Sequence, residues 1–208
     1  SVNIRHALTS VALLVALPAA ADEGQEWLDR MAGALADTSY AGEFVCESAG
    51  RAERLRIVHR VRDGAVAERL VSLSGNGREL IRDDDEVVVY LPDQKLAIIE
   101  RRPADSELMG TLPQFGGEFR PWYEVSYVGR EAALLGPAAV VVVRPRDGYR
   151  FGYRLWIDEA THMPVRSELS DAASRVIERV RFTRLEFDDA ISDAAFEPQL
   201  DRAKLRWV

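Results

Sequence analysis

Residues 53–62 read ERLRIVHRVR, and the fold follows from their alternation. Leu55, Ile57, His59 and Val61 fall on one side of an extended chain, and Arg54, Arg56, Arg60 and Arg62 on the other. Successive side chains of a strand point to opposite faces, so a period of two describes a strand with one apolar and one charged face. Asp63-Gly64 follows at once. This pair accepts the positive φ angles of a tight hairpin turn.

The rhythm extends in both directions. Residues 40–48 form a strand before this one, and 65–73 a strand after it. Ser74-Gly75-Asn76-Gly77 then turns the chain into 78–83, and 86–91 and 95–101 flank Pro92-Asp93-Gln94. Residues 103–121 interrupt the pattern with prolines and glycines set among Leu108, Met109, Leu112, Phe115 and Phe119, which predicts a long connection holding a short helix. Strands resume at 122–135, 138–144 and 150–158, with a turn at Asp147-Gly148, and continue at 164–169 and 175–187. In the last of these the apolar phase shifts near Thr183-Arg184, the mark of a bulge. Residues 192–196 read as a helical turn. About eleven strands at spacings of 8 to 12 residues predict an antiparallel meander, not βαβ units. Upstream, residues 26–37 carry Leu28, Met31, Ala32 and Leu35 at helical spacing.

A sheet this long with one apolar face must hide that face. The expected class is mainly β (α+β): a half-open antiparallel barrel wrapped over a few helices. Its apolar side would form a cup lined by Phe44, Tyr90, Trp122, Tyr123, Tyr127, Phe151, Tyr153 and Phe182, able to accept acyl chains or a partner's apolar segment.

The first 21 residues differ from the rest. Arg5 precedes the apolar run ALTSVALLVAL at 7–17, Pro18 breaks it, and Ala19-Ala20-Ala21 offers a cleavage site before Asp22. That is the pattern of a cleavable signal peptide, and the run is shorter than the roughly 20 residues a membrane span needs. The net charge of −7 provides no global basic field to draw the chain to nucleic acid. Removing residues 1–21 takes away Arg5 and no acid, leaving −8. Cys46 stands alone, so no intrachain disulfide forms.

Little in the chain points to catalysis. His59 lies in the apolar phase of its strand, where a satisfied core histidine is expected, and His162 falls in a turn. HExxH, CxxC, GxSxG and phosphate-loop motifs are absent. The acidic run Asp83-Asp84-Asp85-Glu86 lacks the ligand spacing and central glycine of a calcium loop and reads as a solvated hairpin tip. No cofactor or metal is expected. The arginines of 53–62, with Arg69, Arg101 and Arg102, could meet phosphates or acids, though a solvated face is the plainer reading.

Several colinear blocks resemble the N-terminal domain of the sigma-E factor regulatory protein family (RseB/MucB). They are RIVHRV at 56–61, ERLVSL at 68–73, RELIRD at 78–83, YLPD at 90–93, RPRD at 144–147, YRFGYRLWID at 149–158 and SEL at 167–169. The resemblance covers residues 25–200. It implies a periplasmic protein, a half-open barrel similar to the lipoprotein carriers LolA and LolB, and no catalytic motif. It also implies binding to the periplasmic domain of a membrane-bound anti-sigma factor, which is thereby protected from regulated proteolysis. Lipopolysaccharide or lipoprotein acyl chains would relieve that protection through the cup. On this basis 22–200 is the LolA-like domain, and 201–208 is a linker or the start of a smaller C-terminal domain that this chain lacks. Two other readings stand beside it: a periplasmic carrier of lipids or lipoproteins, and a hydrolase built around His59. Whether the protein forms a homodimer is open.

Overall fold

The computed structural model describes residues 19–75, 77–83, 86–101, 115 and 117–208. Most of the expected signal peptide, most of the 103–121 connection and the tip at Asp84-Asp85 lie outside these residues.

Helix α1 (Ala19–Asp37) starts well before the predicted residue 26. Ala19 to Ala21 are strong helix formers, and Glu23 suits the positive end of the helix dipole. Its buried stripe is Gly24, Leu28 and Met31, extended by half-buried Leu35; Ala32, expected in that stripe, is exposed.

Strands β1 (Tyr40–Ser48), β2 (Arg51–Arg62), β3 (Ala65–Ser72), β4 (Glu79–Asp83), β5 (Glu86–Leu91) and β6 (Leu96–Arg101) form one antiparallel meander. A second comprises β7 (Tyr123–Ala132), β8 (Pro137–Pro145), β9 (Gly152–Asp158), β10 (Pro164–Ser170) and β11 (Val176–Phe187). Pairing of β1 with β11 joins the two. These are the eleven predicted strands. A twelfth, β12 (Arg206–Trp207), lies parallel to β6, so residues expected as a linker pair with the sheet. The order is β12-β6-β5-β4-β3-β2-β1-β11-β10-β9-β8-β7; β12 and β7 do not pair, and the barrel stays open.

The turns obey their residues. Asp63 and Gly64 adopt φ of 53° and 80°, the doubly positive geometry of a hairpin that matches strand twist. The predicted bulge is present: Glu43 pairs with Arg184 and Phe44 with Phe182, so Thr183 is the extra residue. A 3-10 turn at Asp193–Phe196 replaces the predicted helical turn, and another at Gly117–Trp122 ends the long connection.

Two apolar clusters hold this together. Leu28 and Met31 pack on Val125, Val141, Val143, Leu155 and Ile157, which defines the inner face of the second meander. Tyr40, Phe44, Leu55, Ile57, Leu70 and Phe182 anchor the other cluster at the junction of the two meanders. The Phe182 ring lies over Gly42, where an added Cβ would stand 2.7 Å from the ring and 2.8 Å from the Arg184 carbonyl oxygen. Gly42→Ala therefore forces β1 and β11 apart. We expect a loss of about 1–3 kcal/mol, the usual cost of overpacking, read by urea unfolding.

Candidate functional site

Strand alternation and register define the inner face. From β9 across β10 and β11 to β1, Leu155 faces Ser167, Ser167 faces Val180, and Val180 faces Cys46. Cys46 thus shares a face with Leu155, which lies under α1. Among the described residues of this face, Cys46, Tyr153, Leu169, Glu178 and Val180 are only half-buried. At its end, a groove of about 670 Å³ opens between residues 47–52 and 176–179, with Val176 and Ile177 exposed at its rim. Burial pushes the Glu178 carboxyl above its usual range. It likewise pushes the Cys46 thiol up, further raised by Glu178, Glu53 and Glu47.

The eight predicted cup aromatics do not line one surface. Phe44 and Phe182 meet at 5.5 Å between ring centroids and are core residues. Tyr123 stacks on Phe119 at 3.8 Å, Phe119 meets Phe115 edge-on, and Phe115 meets Tyr153, so this group forms one wall of the inner face. Tyr127 is half-buried in β7. Three of the eight lie elsewhere. Tyr90 belongs to the opposite face: it pairs across β5 and β4 with Glu79, and it packs with Val88, Ala97, Leu200, Leu205 and Trp207 where the C-terminal segment crosses the sheet. Trp122 ends the 3-10 turn, half exposed beneath the Arg150 guanidinium, and Phe151 precedes β9 and is also half exposed. Both sit at strand starts, where alternation no longer decides burial.

On the first meander the inner face carries a buried polar ladder. His59 pairs with Glu68 across β2 and β3, and Glu68 pairs with Arg82 across β3 and β4. The imidazole Nδ1 lies 2.9 Å from Glu68 Oε1, and Arg82 Nη1 donates to Glu68 Oε2 at 3.0 Å. All three side chains are buried, with Tyr40 stacked on the imidazole and His59 Nε2 enclosed without a hydrogen-bond partner. Burial alone would raise the Glu68 carboxyl. The hydrogen bonds and charges of His59 and Arg82 outweigh it and hold that carboxyl below its usual value. His59 is a core histidine as expected, but it is satisfied only at Nδ1; its carboxylate partner and the arginine beyond it were not expected. They leave one signal in the sequence: Glu68 and Arg82 occupy the apolar phase of their strands, level with Leu70 and Leu80. No group of three or more His, Cys, Asp or Glu that could hold a metal ion occurs among the described residues. His162 lies in its predicted turn, where its backbone N–H donates to the Asp158 carbonyl at 2.8 Å and its ring meets Trp27 edge-on.

The family model of the MucB/RseB N-terminal domain matches residues 23–200. The chain belongs to the MucB/RseB family. It is 35% identical over 177 residues to the sigma factor AlgU regulatory protein MucB of Pseudomonas aeruginosa, covering 83% of this chain and 54% of that protein. A crystal structure of MucB superposes with a TM-score of 0.71 at 32% identity, over 85% of this chain and 63% of that one. The complex of Pseudomonas aeruginosa MucA and MucB gives 0.70 at 29% identity, over 89% and 63%. The chain thus spans about half the length of that curated relative. The match ends at Leu200, before β12.

Proposed function

We propose that this MucB/RseB-family chain is a non-enzymatic periplasmic regulator of the envelope-stress response. It binds the periplasmic domain of a membrane-bound anti-sigma factor and protects it from regulated proteolysis, and its inner face senses lipid or lipoprotein acyl chains. The family assignment carries the first part, together with the MucA–MucB complex known for a relative. The half-buried inner face beside an open groove supports the second. A sheet closed on itself would leave an acyl chain no entry; here the first and last strands do not pair, and the groove opens beside half-buried residues of the inner face. The leader at residues 1–21 supports export.

A pull-down with the periplasmic segment of the anti-sigma factor tests the reading. Recovery of a complex that lipopolysaccharide weakens is the expected result, and no recovery with or without lipid overturns it. The same open face would suit a lipid or lipoprotein carrier. Native mass spectrometry separates the two, because a carrier hands its co-purified lipid to an acceptor and a sensor keeps it. A hydrolase has little support: His59 is sealed in the ladder, and His59→Phe is expected to change stability alone.

A further inference from the structure

The face opposite α1 carries a pocket whose geometry comes from two neighbouring bulges. Thr183 is the extra residue of β11 against β1, and Val165 is the extra residue of β10 against β9, where Pro164 pairs with Ile157 and Arg166 with Trp156. The bulges flank the cross-strand pair Arg166–Arg181, so the row Trp156, Arg166, Arg181 runs across three strands beside them. Bulges bend a strand and re-aim its side chains, and they concentrate near binding sites. Here they border a pocket of about 260 Å³ walled by Ala133, Leu134, Trp156 and Val165, with Arg166 and Arg181 at its edge. Leu134 and the adjacent Leu135 are exposed beside it.

The local charges do not balance. Arg154, Arg166, Arg179 and Arg181 are set among three carboxylates, Glu131, Glu168 and Glu47, the last directly opposite Arg179 across β1 and β11. Glu131 is committed to Arg154 at 3.1 Å and to the Trp156 indole at 2.8 Å. Glu168 Oε1 accepts from both Arg166 at 2.7 Å and Arg179 at 3.2 Å. The Arg166 guanidinium also lies 4.0 Å from the Trp156 ring centroid, fixed by stacking. Among the described residues nothing remains for Arg181, which makes no ion pair. A free guanidinium beside an apolar hollow matches one chemistry: an anion on a greasy body, with Arg181 supplying a forked donor and the pocket desolvating the rest.

We infer that this pocket is a second binding site, separate from the inner face, for a carboxylate carried on an apolar body of side-chain size. The carboxylate could come from a free organic acid or from a polypeptide terminus. The inference does not depend on what the inner face binds.

Titration of the isotope-labelled full chain, followed by NMR at the Trp156 indole, tests it. The probes are 4-phenylbutanoate, 4-phenylbutanamide, acetyl-Ala-Ala-Phe as free acid and as amide, and inorganic phosphate. Both acids should shift the Trp156 indole at roughly millimolar affinity, with each amide at least tenfold weaker. Tighter binding of the peptide acid supports a polypeptide source, and tighter binding of phenylbutanoate a free acid. Arg181→Gln should weaken acid binding at least tenfold, and Arg181→Lys should keep part of it. Leu134→Glu, which places a negative charge at the exposed lip, should abolish it with the thermal melt unchanged. Equal binding of acids and amides, competition by phosphate alone as strong as by the acids, indifference to Arg181→Gln, or no shift at Trp156 would each overturn the site.

Discussion

Glu68→Ala is expected to lower the unfolding free energy by about 3–5 kcal/mol, the range for removing one partner of a buried ion pair. The carboxylate serves two groups at once, His59 through Oε1 and Arg82 through Oε2, and Arg82 is only 2% exposed. Taking it away removes a carboxylate that the buried guanidinium and imidazole both face in low dielectric. For a domain of this size the melting temperature should fall by roughly 10 °C. The triple replacement His59→Phe, Glu68→Leu, Arg82→Met should recover most of that loss, because an apolar ladder carries no desolvation cost. The sign of the pH dependence follows from the same contacts. The folded Glu68 carboxyl lies below its unfolded value, so its contribution is complete above about pH 4.5 and disappears as the pH falls through the folded value. Glu68→Gln should therefore flatten the acid limb of stability between pH 5 and 3 on circular-dichroism melts. A mutant as acid-sensitive as the wild type would show that the ladder does not set that limb.

The second large effect separates core from mouth. Phe182→Ala should cost about 3–5 kcal/mol, as truncation of a buried phenylalanine does. Its ring closes the space over Gly42 and meets Tyr40 and Phe44 beside the Thr183 bulge. Ile177→Asp makes the opposite test. Ile177 is 38% exposed at the groove, so its replacement should change stability by less than about 0.5 kcal/mol. It should nevertheless weaken binding of an acylated amphiphile at least tenfold, measured by fluorescence displacement, because it sets a charge at the apolar entrance. If Phe182→Ala were the mutation that spared stability and lost binding, the division between core and mouth would be reversed.

Much of this architecture is legible in residue order. Alternation placed the eleven long strands, Asp63-Gly64 placed a hairpin, and the slipped apolar phase at Thr183 placed a bulge, because each rests on local backbone geometry. Long-range facts were not local. That Tyr90 is covered by the C-terminal segment depends on a crossing of the sheet by residues 188–208, which no strand pattern encodes. Trp122 and Phe151 count among the aromatics of the cup in the sequence, yet each stands one residue before its strand, where the chain still turns. The ladder of His59, Glu68 and Arg82 needed register: each residue looks like an exception until pairing sets the three side by side. Arg181 likewise looks like its neighbours until their carboxylates are seen to be taken.

Photocrosslinking tests directly whether the inner face receives an acyl chain through the groove beside β11. The full chain would be irradiated with a fatty-acyl amphiphile bearing a diazirine at mid-chain, and the labelled peptides mapped by mass spectrometry. Labels on Cys46, Leu169, Val176, Ile177 or Val180 are predicted. Labelling confined to the outer-face arginine rows, or none at saturating amphiphile, would rule out acyl-chain entry through this groove.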